Sequence, residues 1–165
     1  MDKIEELLKD PKTDLQKQAL TDKSYKKTPN NQDCKINFEL ATYGDAILKC
    51  VLCKIYFERE DEDNFGFKGK LTEWKKQYES DEVLVKFIAR HYDILNFLNF
   101  DRDDTKKPHD YDYQGKNAKR RYKYIATAME ASIDAVYIEN GENEVIELVK
   151  IWIRWIDKET NSSDT

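Results

Sequence analysis

The sequence predicts an all-α fold organised around two long core helices. Three observations carry that reading. Apolar residues recur at steps of three and four over most of the chain, the period of a helix face. Only 5 Gly and 3 Pro occur among 165 residues, too few to punctuate a strand-and-turn architecture. Helix boundary signals, Ser80 before one apolar run and Asn140-Gly141 after another, fall where that period begins and stops.

Taken in order, Leu40, Tyr43, Ile47, Cys50, Val51 and Ile55 give the first long helix, starting near Ile36 and running for roughly six turns. The charged stretch from Glu58 to Gly69 reads as a loop. A second helix starts near Leu71. A third follows Ser80, whose hydroxyl is suited to capping it, with Val83, Leu84, Phe87, Ile88 and Tyr92 as its apolar positions. Asp101 to Lys116 carries Pro108, Gly115 and scattered charges, and is expected to be an exposed, mobile connection. Ala118 to Glu139 gives the second long helix, with Tyr122, Ile125, Met129, Ile133 and Val136 on one face. Gly141 ends it, because glycine tolerates the positive φ of a helix terminus. The last helix spans about Glu142 to Lys158 and carries Val145, Leu148, Val149, Trp152 and Ile156. Of its tryptophans, Trp152 or Trp155 is expected in the core and the other against a partner chain. The domain is expected to fill residues 1–160, with 161–165 as a disordered tail.

Composition excludes several classes of protein. Lys and Arg number 28 against 33 Asp and Glu, for a net charge of −5, yet 39% of the chain is apolar and 12% aromatic, too hydrophobic for a disordered acidic tail. The most apolar stretch, Ala46 to Phe57, is interrupted by Lys49 and Lys54, so no membrane span is expected. The amino-terminal MDKIEELLKD is too acidic for a targeting peptide, and three cysteines are too sparse for a disulfide framework. A reducing, cytoplasmic setting is expected. Cys50 and Cys53 form a Cys-x-x-Cys pair, but only His91 and His109 are available to complete a zinc site, so buried small hydrophobes are the expected role. The same shortage of histidine argues against a Ser-His-Asp site, and no glycine-rich phosphate loop is present.

Four segments carry more specific information. Asn37-Phe-Glu-Leu-Ala-Thr-Tyr-Gly-Asp-Ala-Ile-Leu48 resembles the most recognisable helix of the ribonuclease III domain. Gln18-Ala-Leu-Thr-Asp-Lys-Ser-Tyr25, Leu71-Thr-Glu-Trp-Lys-Lys76 with Ser80-Asp-Glu-Val-Leu84, and Met129-Glu-Ala-Ser-Ile-Asp-Ala-Val-Tyr137 resemble three further pieces of that family, in its order. The resemblance covers about Leu15 to Trp152. It implies a helical homodimer that cuts double-stranded RNA with magnesium or manganese held by carboxylates from two helices. Such chemistry needs clustered acids, since a hard cation prefers oxygen ligands and activates a bound water for attack on phosphorus.

The resemblance places the family's metal-binding, catalytic acids at Asp45 and Glu130. Two further acids of the family pattern are missing, with Ala41 four residues before Asp45 and Thr127 three residues before Glu130. The remaining charge should hold a divalent ion less well. Asp134, Asp81 and the Thr127 hydroxyl are expected in support, Asp134 because it lies one turn beyond Glu130. Lys116, Lys119, Arg120, Arg121 and Lys123 form the expected RNA-binding run, with Lys26 and Lys27 as additions.

Two functions follow from the resemblance: a ribonuclease-III-like protein that hydrolyses structured or double-stranded RNA, or a catalytically impaired homologue kept as an RNA-binding or assembly module. At this length the chain is expected to lack the double-stranded-RNA-binding domain that usually follows, leaving RNA contacts to the domain itself or a partner.

Overall fold

The computed structural model describes residues 1–59 and 68–162. Helix α1 (Lys3–Lys9) starts at Asp2, whose side chain accepts the Glu5 N–H, and α2 (Asp14–Ala19) starts at a Thr13–Gln16 capping box. Neither is foreseen by the sequence reading, because each is too short to show a full apolar period. Two 3₁₀ turns, Lys23–Lys27 and Pro29–Asn31, lead to the long helix α3 (Phe38–Arg59). Helix α4 spans Lys68–Glu79. Ser80 Oγ then accepts the Val83 N–H and opens α5, which comprises Asp81–Val83, a π-helical stretch Leu84–Ala89, and Arg90–Tyr92. The second long helix, α6, is Ala118–Asn140, and α7 is Glu142–Ser162. Gly141, at φ 87°, separates them. Among the described residues the only extended pairing is an isolated bridge between Thr21 and Asn99.

Helices α3 and α6 form the axis of the bundle, and α4 and α7 also pack on α3. The core runs from Leu48, Val51, Leu52 and Ile55 of α3 to Ile125, Met129 and Ile133 of α6, and on to Val145, Trp152 and Ile153 of α7. An amphipathic helix is stable only when such a face is covered, at roughly 1.5–3 kcal/mol per large buried side chain.

Several expectations are corrected. The buried face of α3 is Ala41, Gly44, Ile47, Leu48, Val51, Leu52 and Ile55, whereas Tyr43 is 64% exposed. Cys50 is exposed and Cys53 half-buried, so Cys50 is not a buried hydrophobe; all three cysteines are free thiols. The expected 58–69 loop begins and ends inside helices, as Glu58 and Arg59 close α3 while Lys68 and Gly69 open α4; its remainder lies outside the described residues. The 101–116 connection is pinned to the bundle. Pro108 is buried and its carbonyl accepts the Tyr124 hydroxyl, Tyr122 donates to Asp110, and Arg90 pairs with Asp112 at 2.9 Å. In α7, Trp152 is the core residue and donates to the Tyr92 hydroxyl at 2.9 Å, while Trp155 stacks on His91 of the same chain at 3.6 Å. The helix continues through Asn161 and Ser162 of the expected tail, and 163–165 lie outside the described residues.

Candidate functional site

At Gly44 the backbones of the two long helices lie against each other. A Cβ there would stand 1.8 Å from the Glu130 carbonyl oxygen and 2.6 Å from its carbonyl carbon, so any side chain would collide with main chain. Glycine permits this approach because it presents only hydrogen. The contact fixes α3 against α6, and Asp45 and Glu130 consequently line the same open cleft of about 860 Å³.

The cleft wall comes from four elements. Helix α3 contributes Ala41, Asp45 and Lys49, and α6 contributes Lys119, Lys123, Thr127 and Glu130. The α4–α5 junction adds Lys76, Glu79 and Asp81, and Tyr113 closes the wall from the 101–117 connection. Asp81 sits in the first turn of α5, directly after its Ser80 cap.

The acids are already matched with cations. Lys49 Nζ donates to Asp45 Oδ2 at 2.6 Å, one turn along α3. Lys123 Nζ reaches Asp81 Oδ1 at 3.0 Å and Glu130 Oε1 and Oε2 at 3.1 and 3.4 Å. Glu130 is only 5% exposed, and burial raises its carboxyl to about 6. The Lys123 ammonium opposes that rise, while the charges of Asp81 and Asp45 add to it. Burial works against the charged form of Lys123, yet Glu130 and Asp81 outweigh it and hold its ammonium above the usual lysine range.

Residues 12–155 match the family model described as Ribonuclease-III-like. The chain belongs to the ribonuclease-III-like family. Among curated relatives of this ribonuclease-III-like protein, Ribonuclease 3 of Azotobacter vinelandii is 29% identical over 140 residues, covering 85% of this chain and 52% of the relative. Ribonuclease 3 of a Nitratiruptor species is 27% identical over 134 residues, covering 81% and 51%. The chain thus spans about half the length of the curated relatives it matches. A crystal structure of the nuclease domain of ribonuclease III from Campylobacter jejuni superposes with a TM-score of 0.63 at 25% identity, covering 95% of this chain and 93% of that one. A second structure of that domain, with the same TM-score at 24% identity, is described by flexibility in a region involved in its dimer formation.

Of the residues singled out from the sequence of this ribonuclease-III-like chain, Asp45, Asp81, Thr127, Glu130, Lys119 and Lys123 line the cleft. Asp134 does not. It is 2% exposed beside the Gly44 contact, and its Oδ1 has no hydrogen-bond partner. Lys116, Arg120 and Arg121 are exposed around the start of α6, outside the cleft lining. Lys27 is taken up by Asp101 and Asp104 at 3.2 and 3.3 Å. Sequence reading missed Lys49, Lys76, Glu79 and Tyr113, and it missed the pairing of Lys123 with acids. The signal for that pairing was present: Lys123, Thr127 and Glu130 follow at i, i+4 and i+7 on one helix face.

Members of the family generally use a divalent metal. The side chains here do not fit one. Ala41 offers no ligand and Thr127 offers only a neutral hydroxyl, while Asp45, Asp81 and Glu130 are each held by a lysine ammonium. Among the described residues no three His, Cys, Asp or Glu side chains converge as a metal-binding group.

Proposed function

We propose that this ribonuclease-III-like chain binds structured or double-stranded RNA as a homodimer and does not carry out the metal-dependent cleavage typical of its family. The single observation that carries this reading is the engagement of every retained site acid by a lysine of the same chain. Lys76 and Lys119 line the cleft with no carboxylate partner among the described residues, and Lys116, Arg120 and Arg121 extend the basic surface at the start of α6. Cations in that arrangement hold phosphates, and each one engaged releases counterions from the RNA.

The dimer is supported by the family and by the outer face of α3. Tyr43 and Cys50 are exposed there, and Ile138 of α6 is exposed as well. A cytoplasmic setting is supported by three free thiols, and no described helix is long and apolar enough to cross a membrane. The competing reading, a magnesium- or manganese-dependent hydrolase leaving 5′-phosphate ends, draws on Asp45 and Glu130 sharing one cleft.

One experiment separates the two. Duplex RNA should be retained by the protein, more weakly as salt rises, and should stay intact with Mg²⁺ or Mn²⁺ present. Joint replacement of Lys119, Arg120 and Arg121 by Ala should weaken binding roughly tenfold or more and flatten its salt dependence, while Asp45→Asn leaves binding intact. Cleavage that depends on added metal and disappears in Asp45→Asn and Glu130→Gln would establish the hydrolase instead.

A further inference from the structure

We infer that the Lys123 ammonium is a tethered replacement for the family's divalent ion, neutralising Asp81 and Glu130 from within the chain and closing the cleft to free divalent cations. This deepens the non-cleaving reading and rests on its view of the cleft as a former metal site.

The stoichiometry of the contact supports the replacement. An ammonium has three N–H donors. Three carboxylate oxygens surround Lys123 Nζ, at 3.0, 3.1 and 3.4 Å, from two acids on different helices. Both acids are deeply set: the Glu130 side chain is 6% exposed and that of Asp81 13%. A surface pair linking two solvated side chains would contribute little and be readily exchanged. Here the cation, itself 47% exposed on the open cleft, bridges α5 and α6 between two deeply set acids, and withdrawing it would leave their charges uncompensated.

The surroundings point the same way. Lys49 occupies the Asp45 carboxylate, and Lys76 and Lys119 stand in the cleft wall. A magnesium-sized ion requires near-octahedral oxygen ligation at about 2.0–2.1 Å. To obtain it, the ion would have to displace Lys123 and tolerate the repulsion of the other ammonium groups. A tethered cation is present at any metal concentration, so the arrangement of α5 on α6 no longer depends on the supply of divalent ions.

Calorimetric titration with MnCl₂, without RNA, tests this on the full chain. Wild type and Lys123→Arg should show only weak, diffuse binding. Lys123→Met, which keeps an unbranched side chain one atom shorter and removes its charge, should bind Mn²⁺ roughly tenfold or more tightly, because the two carboxylates are left free to ligate. Adding Glu130→Gln to Lys123→Met should abolish the gain. Mn²⁺ should also raise the thermal midpoint of Lys123→Met and leave that of wild type unchanged.

A folded Lys123→Met that gains no affinity would overturn the inference. If that variant folds poorly, paramagnetic broadening of wild-type NMR signals by Mn²⁺ decides: no localised broadening at the cleft supports the tethered cation, and broadening centred on Asp81 and Glu130 refutes it. These readouts concern metal alone, so a failure here is distinguishable from a failure of RNA binding.

Discussion

Gly44 and Asp134 show how closely α3 and α6 are fitted at the level of single atoms. The Gly44 contact is with main chain, which cannot swing aside, so Gly44→Ala must separate the helices or bend one of them. The expected loss is about 2–4 kcal/mol, read as a fall in the urea midpoint, with the Asp45–Glu130 arrangement disturbed in proportion. Asp134 presents the opposite case. Burial raises its carboxyl pKa above the ordinary value, and its Oδ1 is unpartnered. A raised carboxyl binds its proton more tightly in the folded state than in the unfolded one. Its contribution to stability is therefore greatest below the unfolded pKa and diminishes as pH rises through the folded value. At neutral pH the charge is a burden, so Asp134→Asn should stabilise the fold by about 1 kcal/mol, and the gain should vanish in melts taken at acid pH. Asp45 and Glu130 were legible in the sequence because Gly-Asp-Ala and Met-Glu-Ala are local patterns. The role of Lys123 was not, because its partner Asp81 is 42 positions away and only the fold brings them together.

Among the elements, the long helices were read to within about two residues at their ends, since many turns of apolar period average out local exceptions. Which face of α3 is buried was harder to read. Leu40, Tyr43, Ile47, Cys50, Val51 and Ile55 are correctly spaced, and Ile47, Val51 and Ile55 are buried, but the core also takes Ala41, Gly44, Leu48 and Leu52 beside them and leaves Tyr43 and Cys50 in solvent. A helix that is apolar over more than one face carries no internal marker for the side that turns inward. The 101–116 connection was read as exposed and mobile for a related reason: its charges and Pro108 suggest solvent, whereas tyrosines anchor it, from α6 and from the connection itself. Tyr124 holds the Pro108 carbonyl, and the Tyr111 hydroxyl donates to Asp93 while accepting the Leu95 N–H. Tyr124→Phe should lower stability by about 1 kcal/mol and increase amide exchange over 101–117 relative to α3, as followed by mass spectrometry.

At the scale of the whole molecule, exposed apolar side chains bear on the proposed homodimer. The outer face of α3 leaves Tyr43 and Cys50 in solvent, and Phe38 and Ile138 are 65% and 58% exposed. Where the proposed homodimer is formed through exposed apolar groups such as Tyr43 of α3 and Ile138 of α6, the double substitution Tyr43→Glu with Ile138→Glu should convert the protein to a monomer in analytical ultracentrifugation while leaving its helical circular dichroism unchanged. Under the proposed RNA binding by a homodimer, affinity should then fall, since a monomer would present one cleft where a dimer would present two.

The contact at Gly44 has one more consequence. Because it joins backbone to backbone, the approach of α3 to α6 at that point makes no use of the side chains at positions 41 and 127. Ala41 and Thr127, four residues before Asp45 and three before Glu130, can therefore be exchanged without loosening that contact. A scaffold locked at such a point keeps its shape whether or not the chemistry beside it is retained.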